Sequence, residues 1–304
     1  SCSQSMINVF GVLLFLPFIP QFADFIERTS PDLPRQIANA HTIFNISVSL
    51  ILFPFVRQIA GIAMKLAPDD PDKEKQKVTM YIDEMQYAVP AVALKEASRE
   101  LSRLGDVTAE MVELSCHALL EKDIPAAERV LYLESGIVDP VTRDLEHFVN
   151  VLMRADLGIA QQKRAFQIKN LLVDIERVGD MAEDIARFAQ DRVTADIPFT
   201  DEAINELTEL SGIAHSIYSQ SLQAFRDQDR DLAMKVCKRE NDFDNMYWNI
   251  RETHIRRLKS GACHPEANVI FIETLRLLER ISDHADNLGI SVIRNQNHLP
   301  ATTA

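Results

Sequence analysis

The chain has 304 residues, a formal net charge of −13 and only four cysteines. That length allows about two domains. The acidic balance argues against nucleic acid as a partner, and sparse thiols without a CxxC pair give no disulfide framework and fit a reducing compartment.

Charge is unevenly spread: residues 1–66 hold four basic and three acidic residues, whereas the remainder holds 28 and 42. Ser1 opens straight into an apolar run without the basic region of a signal peptide. The chain is therefore read as the tail of a longer protein. Met6 to Phe22 is apolar but broken by Pro17 and Pro20, and Phe44 to Ala63 is apolar with Arg57 as its one charge. About twenty such residues span a bilayer core, so two short membrane segments are expected, joined by a polar loop over Asp24–Arg35. The two runs repeat each other: Gln4–Asn8 matches His41–Asn45, and Leu14–Phe18 matches Ile51–Phe55. Paired, interrupted apolar segments point to a transport pathway, with Asn8, His41 and Asn45 as its candidate residues. The other reading is that the asparagines only join helices by hydrogen bonds. Arg57, Lys65, Lys73, Lys75 and Lys77 follow the second run, which places the carboxy-terminal body on the cytosolic side.

Residues 67–79 carry two prolines and mixed charge and read as a linker, with a short helix expected near Tyr81–Tyr87. From Ala91 to His298 apolar residues recur at three and four, as in Leu171, Leu172, Ile175, Val178 and Ala182. Breaks are expected at Lys122–Pro125, Asp139-Pro140, Asp196–Pro198, Asp227–Asp229 and Ser260-Gly261. They give six helices, read as two antiparallel three-helix bundles over 80–198 and 199–298. The halves echo each other. Ala126–Glu134 aligns with Leu232–Glu240, and Asp174–Asp184 aligns with Leu277–Asn287.

The third helix of each half carries acids four apart: Glu176, Asp180 and Asp184 in the first, Glu279 and Asp283 in the second. Glu240 and Asp244 add the same spacing one helix earlier. In the first half Glu134 is present, but Val138 stands where an acid would, so that site is a ligand short unless Asp139 shifts in. Like charges one turn apart repel, and apolar neighbours reduce their solvation. A cation relieves both, and oxygen donors from facing helices suit Mg, Ca, Mn or Fe(III). The competing reading is a structural carboxylate–arginine network built on Arg177 and Arg280. No nucleotide-binding or serine-nucleophile motif occurs, so an enzyme is not expected.

Two resemblances follow from these motifs. Ala38-Asn-Ala-His-Thr-Ile-Phe-Asn45 with Leu50-Ile-Leu-Phe-Pro54, and Ile7–Pro17 before it, resemble the end of the transport domain of bacterial sodium/phosphate cotransporters. The family's Gln-Ser-Ser repeats are not found in this chain. Glu-Arg-Val/Ile-Gly/Ser-Asp-x-Ala, occurring twice, resembles the PhoU family. Together they imply an all-α protein: two short membrane helical segments in 1–66, then two PhoU-like three-helix bundles. They imply a multi-pass protein of the bacterial inner membrane, with sodium-driven phosphate symport and a cytosolic regulatory domain. The alternative is a membrane-anchored adaptor acting through protein contacts and metal. Sodium would be the coupling ion, and a multinuclear Fe, Mg or Mn centre would occupy the acid stripes. Partners implied are phosphate, sodium, membrane lipid, and a second copy or a phosphate-signalling protein.

Overall fold

The computed structural model describes residues 19–29, 31, 33–52, 78–260 and 265–296. They form two units, divided between Gln76 and Lys77. No strand occurs among the described residues.

In the first unit, α1 (Ile19–Glu27) and α2 (Leu33–Leu52) pack as a hairpin. Pro20 and Pro34 each fall in a first helical turn, where a missing N–H leaves no intrahelical bond unmade. At the turn, Thr29 Oγ1 donates to Ile26 O at 2.7 Å and accepts from Asn39 Nδ2 at 3.1 Å. The expected polar loop is thus far shorter than Asp24–Arg35. The membrane placement also requires correction. Among the described residues, no helix is long and apolar enough to cross a membrane. The physical reason is the helix's own boundary: α2 begins at Leu33 and takes in Arg35, Gln36, Asn39, His41 and Thr42 before the apolar run starts. His41 is exposed on α2, and Asn45 lies four residues further along it. Asn8, most of the first apolar run, residues 53–63 and the linker before Val78 lie outside the described residues.

In the second unit the expected short helix is a 3-10 turn, Glu84–Ala88. Asp83 Oδ1 accepts from Met85 N at 3.0 Å, and Gln86 Oε1 accepts from Asp83 N at 3.2 Å. Among the described residues seven helices follow: α3 (Pro90–Glu121), α4 (Ile124–Leu133), α5 (Asp139–Leu152), α6 (Ile159–Thr194), α7 (Asp201–Asp227), α8 (Arg230–Lys259) and α9 (Pro265–Gln296). Helix α3 pairs with α6, and α9 packs on both α7 and α8. The halves meet where α3 adjoins α7 and α6 adjoins α9. A Cβ at Gly105 would stand 2.4 Å from Leu222 Cδ2, so glycine there leaves room for the Leu222 side chain of α7 against α3. Nearby, the buried Thr108 and Tyr218 hydroxyls bond each other at 2.8 Å.

The repeat extends to backbone detail. Helices α3 and α7 end on non-glycine residues in the left-handed region, Lys122 (φ 59°) and Gln228 (φ 54°). Asp123 N then donates to Ala118 O at 3.1 Å, and Asp229 N to Ala224 O at 3.0 Å, closing both helices in one way. The same aspartates cap the next helices, accepting from Ala126 N and Leu232 N. Buried Arg192 caps the end of α3 from outside, donating to the carbonyls of Leu119 and Leu120.

One expected break is not a break. Asp139-Pro140 lies inside a helical run from Ile124 to Leu152, interrupted by a π turn over Glu134–Val138. Pro140 sits in the first turn of α5, where its missing N–H is tolerated. The actual turn between second and third helices lies at 153–158, ending on Gly158.

Candidate functional site

The π turn decides the geometry of the first acidic constellation. It adds one residue between Glu134 and the next acid, with Asp139 N–H bonded to Glu134 O, five residues back. Val138 is fully buried in the core, and Asp139 takes the outward place. In the second half no extra residue is needed, because Glu240 and Asp244 are four apart on a continuous α8. Asp139 thus supplies the acid that Val138 denies.

Glu134 is 4% exposed, and neither of its carboxylate oxygens has a hydrogen-bond partner. Burial pushes its carboxyl up to about 8, and the neighbouring charges of Asp180, Asp139, Glu183 and Glu176 push in the same direction. Glu176 and Asp180 are raised as well, chiefly by desolvation, then Glu176 by the charges of Asp180 and Asp139, and Asp180 by those of Glu183, Asp139 and Asp184. The space for Glu134 is provided by Gly179: a Cβ there would stand 2.8 Å from Glu134 Oε2 and 3.3 Å from Val138 Cγ1. A glycine in the middle of a helix costs stability, and here it admits a carboxylate to the interior.

The second constellation is tighter and more open. Ligand atoms of Glu240, Asp244 and Asp283 all lie within 4.8 Å of one another, the one such triplet among the described residues. Glu240 is pushed up to about 7, by desolvation first and then by Asp244, Asp286, Asp283 and Glu279. Glu279 and Asp283 are raised by desolvation, with Asp283 and Asp244 as the next causes respectively. Arg177 and Arg280 temper these fields without forming an ion pair within 4.0 Å among the described residues.

Of the sequence-predicted residues, Glu176 and Asp180 share a field in the first half, and Glu240, Asp244, Glu279 and Asp283 share one in the second. Asp184 is exposed and adds to the field on Asp180, while Glu183 acts on both Glu134 and Asp180 and also pairs with Arg187 at 2.7 Å. Its counterpart Asp286 is among the acids that raise Glu240 at the second site. A signal for both was present. At about 100° per residue, i+7 falls within about 20° of the starting residue, whereas i+8 drifts by about 80°. Glu176, Asp180, Glu183 and Glu279, Asp283, Asp286 follow that better-aligned spacing in both halves. Asn287 and His284 serve another purpose. His284 Nδ1 lies 2.8 Å from Asp174 Oδ1, which also accepts from Asn287 Nδ2 at 3.1 Å, so they join α9 to α6.

Oxygen donors alone, a pair of orphaned buried oxygens and crowded carboxylates with raised pKa values suit a hard, multiply charged cation.

The PhoU domain family model matches residues 101–189 and 207–292. The chain is 26% identical over 202 residues to a phosphate-specific transport system accessory protein PhoU homolog of Clostridium acetobutylicum, covering 66% of this chain and 90% of that one. YjbB of Salmonella typhimurium, provisionally named an inorganic phosphate export protein, is 21% identical over 273 residues, covering 90% of this chain and 49% of that protein. The crystal structure of PhoU from Pseudomonas aeruginosa superposes with a TM-score of 0.63 at 22% identity, covering 70% of this chain and all of that one. Two matched segments, each ending on one of the acid-bearing helices α6 and α9, make the chain a member of the PhoU domain family.

Proposed function

We propose that this chain is a regulator of phosphate transport whose twin carboxylate sites hold metal. Relatives named as phosphate-transport accessory proteins support the first half of that reading. Glu134 carries the second: a buried carboxylate with two unpartnered oxygens is costly by itself, and a bound cation offsets that cost. Glu134, Asp139, Glu176, Asp180 and Glu183 would hold one centre. Glu240, Asp244, Glu279, Asp283 and Asp286 would hold the other. Fe, Mg and Mn all suit such oxygen donors, and two or more ions per site would match the number of carboxylates. Bound cations cancel charge on an acidic surface, so metal occupancy would set how that surface meets a transport or signalling partner, or a second copy.

The test has two parts. Metal content of the purified chain is measured beside Glu134→Gln and Glu240→Gln/Asp283→Asn. Unchanged content in both variants would remove metal from the reading. Phosphate uptake is then compared in cells with and without the intact gene, under high and low phosphate. Uptake that does not respond to the deletion would overturn the regulatory role.

A second reading rests on the alignment with YjbB, which runs through residues beyond the PhoU-like segments. There the protein containing this chain would itself move phosphate, with sodium as coupling ion and Asn8, His41 and Asn45 near the pathway. Phosphate flux that is indifferent to sodium in a transport-deficient host would dispose of it.

A further inference from the structure

The opposite character appears at the start of α3 and α6. An open cleft of about 810 Å³ lies between the first half of α3, the start of α6 and the end of α7. Its walls carry Lys95, Arg99, Arg103, Arg164 and Arg226, with Asp106 as the one lining acid. In a chain of net charge −13, such a cluster needs its own explanation.

Three of the five cations are neutralised locally. Arg99 pairs with Glu96 at 2.8 Å, Arg103 with the fully buried Glu100, and Arg226 with Asp106. Glu100 is further fixed by the amides of Met80 and Tyr81, at 2.9 and 2.7 Å. Lys95 and Arg164 have no carboxylate partner among the described residues. Arg164 is half-buried. Its Nη1 donates to Gln167 Oε1 at 2.6 Å and its Nη2 to Ser98 Oγ at 3.0 Å, both neutral acceptors. Its guanidinium carbon lies 5.0 Å from the centre of the Phe225 ring, within cation–π range. A guanidinium carries five N–H donors, so this one has donors to spare and no counter-charge. Burial already disfavours its charged form, a cost that an anion in the cleft would offset.

Size and composition narrow the ligand. The volume falls in the range of small-molecule sites and far exceeds one inorganic phosphate. Ala91, Leu94 and Ala160 supply an apolar wall, with Tyr81 at the edge. Two unneutralised cations match a doubly charged phosphoryl group, whose oxygens suit the guanidinium fork. We propose that this cleft binds a small organic phosphate, with Arg164 and Lys95 on its phosphoryl oxygens and its organic part along Leu94 and Tyr81. The site is separate from the acid stripes: Arg164 precedes Glu176 by twelve residues, about 18 Å along α6.

Calorimetric titration of the purified full chain tests this, with AMP and glucose 6-phosphate as probes, inorganic phosphate and citrate as separate arms, and no divalent cation added. Both or one of the organic phosphates should bind more tightly than inorganic phosphate or citrate. Arg164→Gln should weaken that binding by at least about tenfold, as loss of a charge-assisted contact does. Lys95→Gln, a change at an exposed side chain that leaves the fold alone, should weaken it by about threefold or more. Absence of binding by both organic phosphates at millimolar concentration would overturn the proposal. So would binding that survives Lys95→Gln and Arg164→Gln unchanged, or binding in which inorganic phosphate or citrate does as well as the organic phosphates. None of these outcomes depends on the metal content of the acid stripes, so this site and the metal reading can fail separately.

Discussion

The two acidic constellations descend from one pattern and solve it differently. In the second half a continuous helix offers Glu240 and Asp244 one turn apart, and the carboxylates crowd together at a half-open surface. In the first half, a π turn replaces that spacing, Asp139 substitutes for the missing acid, and Glu134 goes inside beneath Gly179. The residue equivalent to Gly179 is Ser282, which is buried with its hydroxyl unpartnered. The second site can accept that side chain because Glu240 is only half-buried. Depth is the difference, and it teaches that the same charges cost more, and a cation contributes more, where water is excluded.

The largest test of that contrast is pH. A carboxyl raised in the folded state holds its proton there longer than in the unfolded chain. Its stabilising contribution is therefore full below the ordinary carboxylate range and lost as pH rises toward the folded value, about 8 for Glu134. Metal-free protein should lose on the order of 3 kcal/mol between pH 5 and 8 from this group. Glu134→Gln should remove most of that slope in thermal melts, whereas Glu240→Gln should remove less. Equal slopes in wild type and Glu134→Gln would mean that Glu134 does not titrate abnormally.

Metal should reverse the trend, since binding requires the deprotonated form. At pH 8, Mn(II) at about a hundred times its Kd should add about 2.7 kcal/mol to stability. Most of that gain should disappear in Glu134→Gln and a smaller part in Asp283→Asn. A gain lost wholly in Asp283→Asn and kept in Glu134→Gln would invert the proposed ranking of the sites.

Next is Gly179→Ala. The added methyl would meet Glu134 and Val138 below ordinary contact distance, and overpacking of this kind costs about 2 kcal/mol. Alanine is otherwise the better helix residue, so a stabilised variant in denaturant melts would show that Glu134 can move aside. Double substitution with Glu134→Gln should not restore stability fully, because Val138 remains in place.

Much of this was legible beforehand. Periodicity gave the long helices, and the Lys122-Asp123 and Gln228-Asp229 echo marked matching helix ends, since side-chain caps and turn chemistry are local. The acid spacing gave Glu176, Asp180, Glu279 and Asp283. What stayed hidden depended on register. The π turn carries no local signal besides Pro140 and Val138, so Asp139-Pro140 read as a break. A four-residue step reaches Asp184, which acts on Asp180 from an exposed position, whereas a seven-residue step reaches Glu183, which acts on Glu134 as well. Apolar runs near the start suggested membrane segments, but the boundary of α2 at Leu33 brings polar residues into the helix and dilutes its apolarity. Arg164 could not be singled out, because its lack of a counter-charge is a property of its surroundings.

The smallest expected effect lies between the halves. The Thr108 and Tyr218 hydroxyls bond each other in a fully buried contact, and Thr108 Oγ1 also lies 3.0 Å from Gly105 O. Tyr218→Phe removes one oxygen and leaves Thr108 a partner, so no buried group is orphaned. The cost should be about 1 kcal/mol, the usual net worth of a neutral hydrogen bond. Metal content should not change, since Thr108 and Tyr218 stand outside both carboxylate sets. A larger loss, with the halves melting in separate steps, would show that this one bond couples them. A loss within that range and a single transition would place the coupling in the apolar packing, as where the Leu222 side chain lies over Gly105.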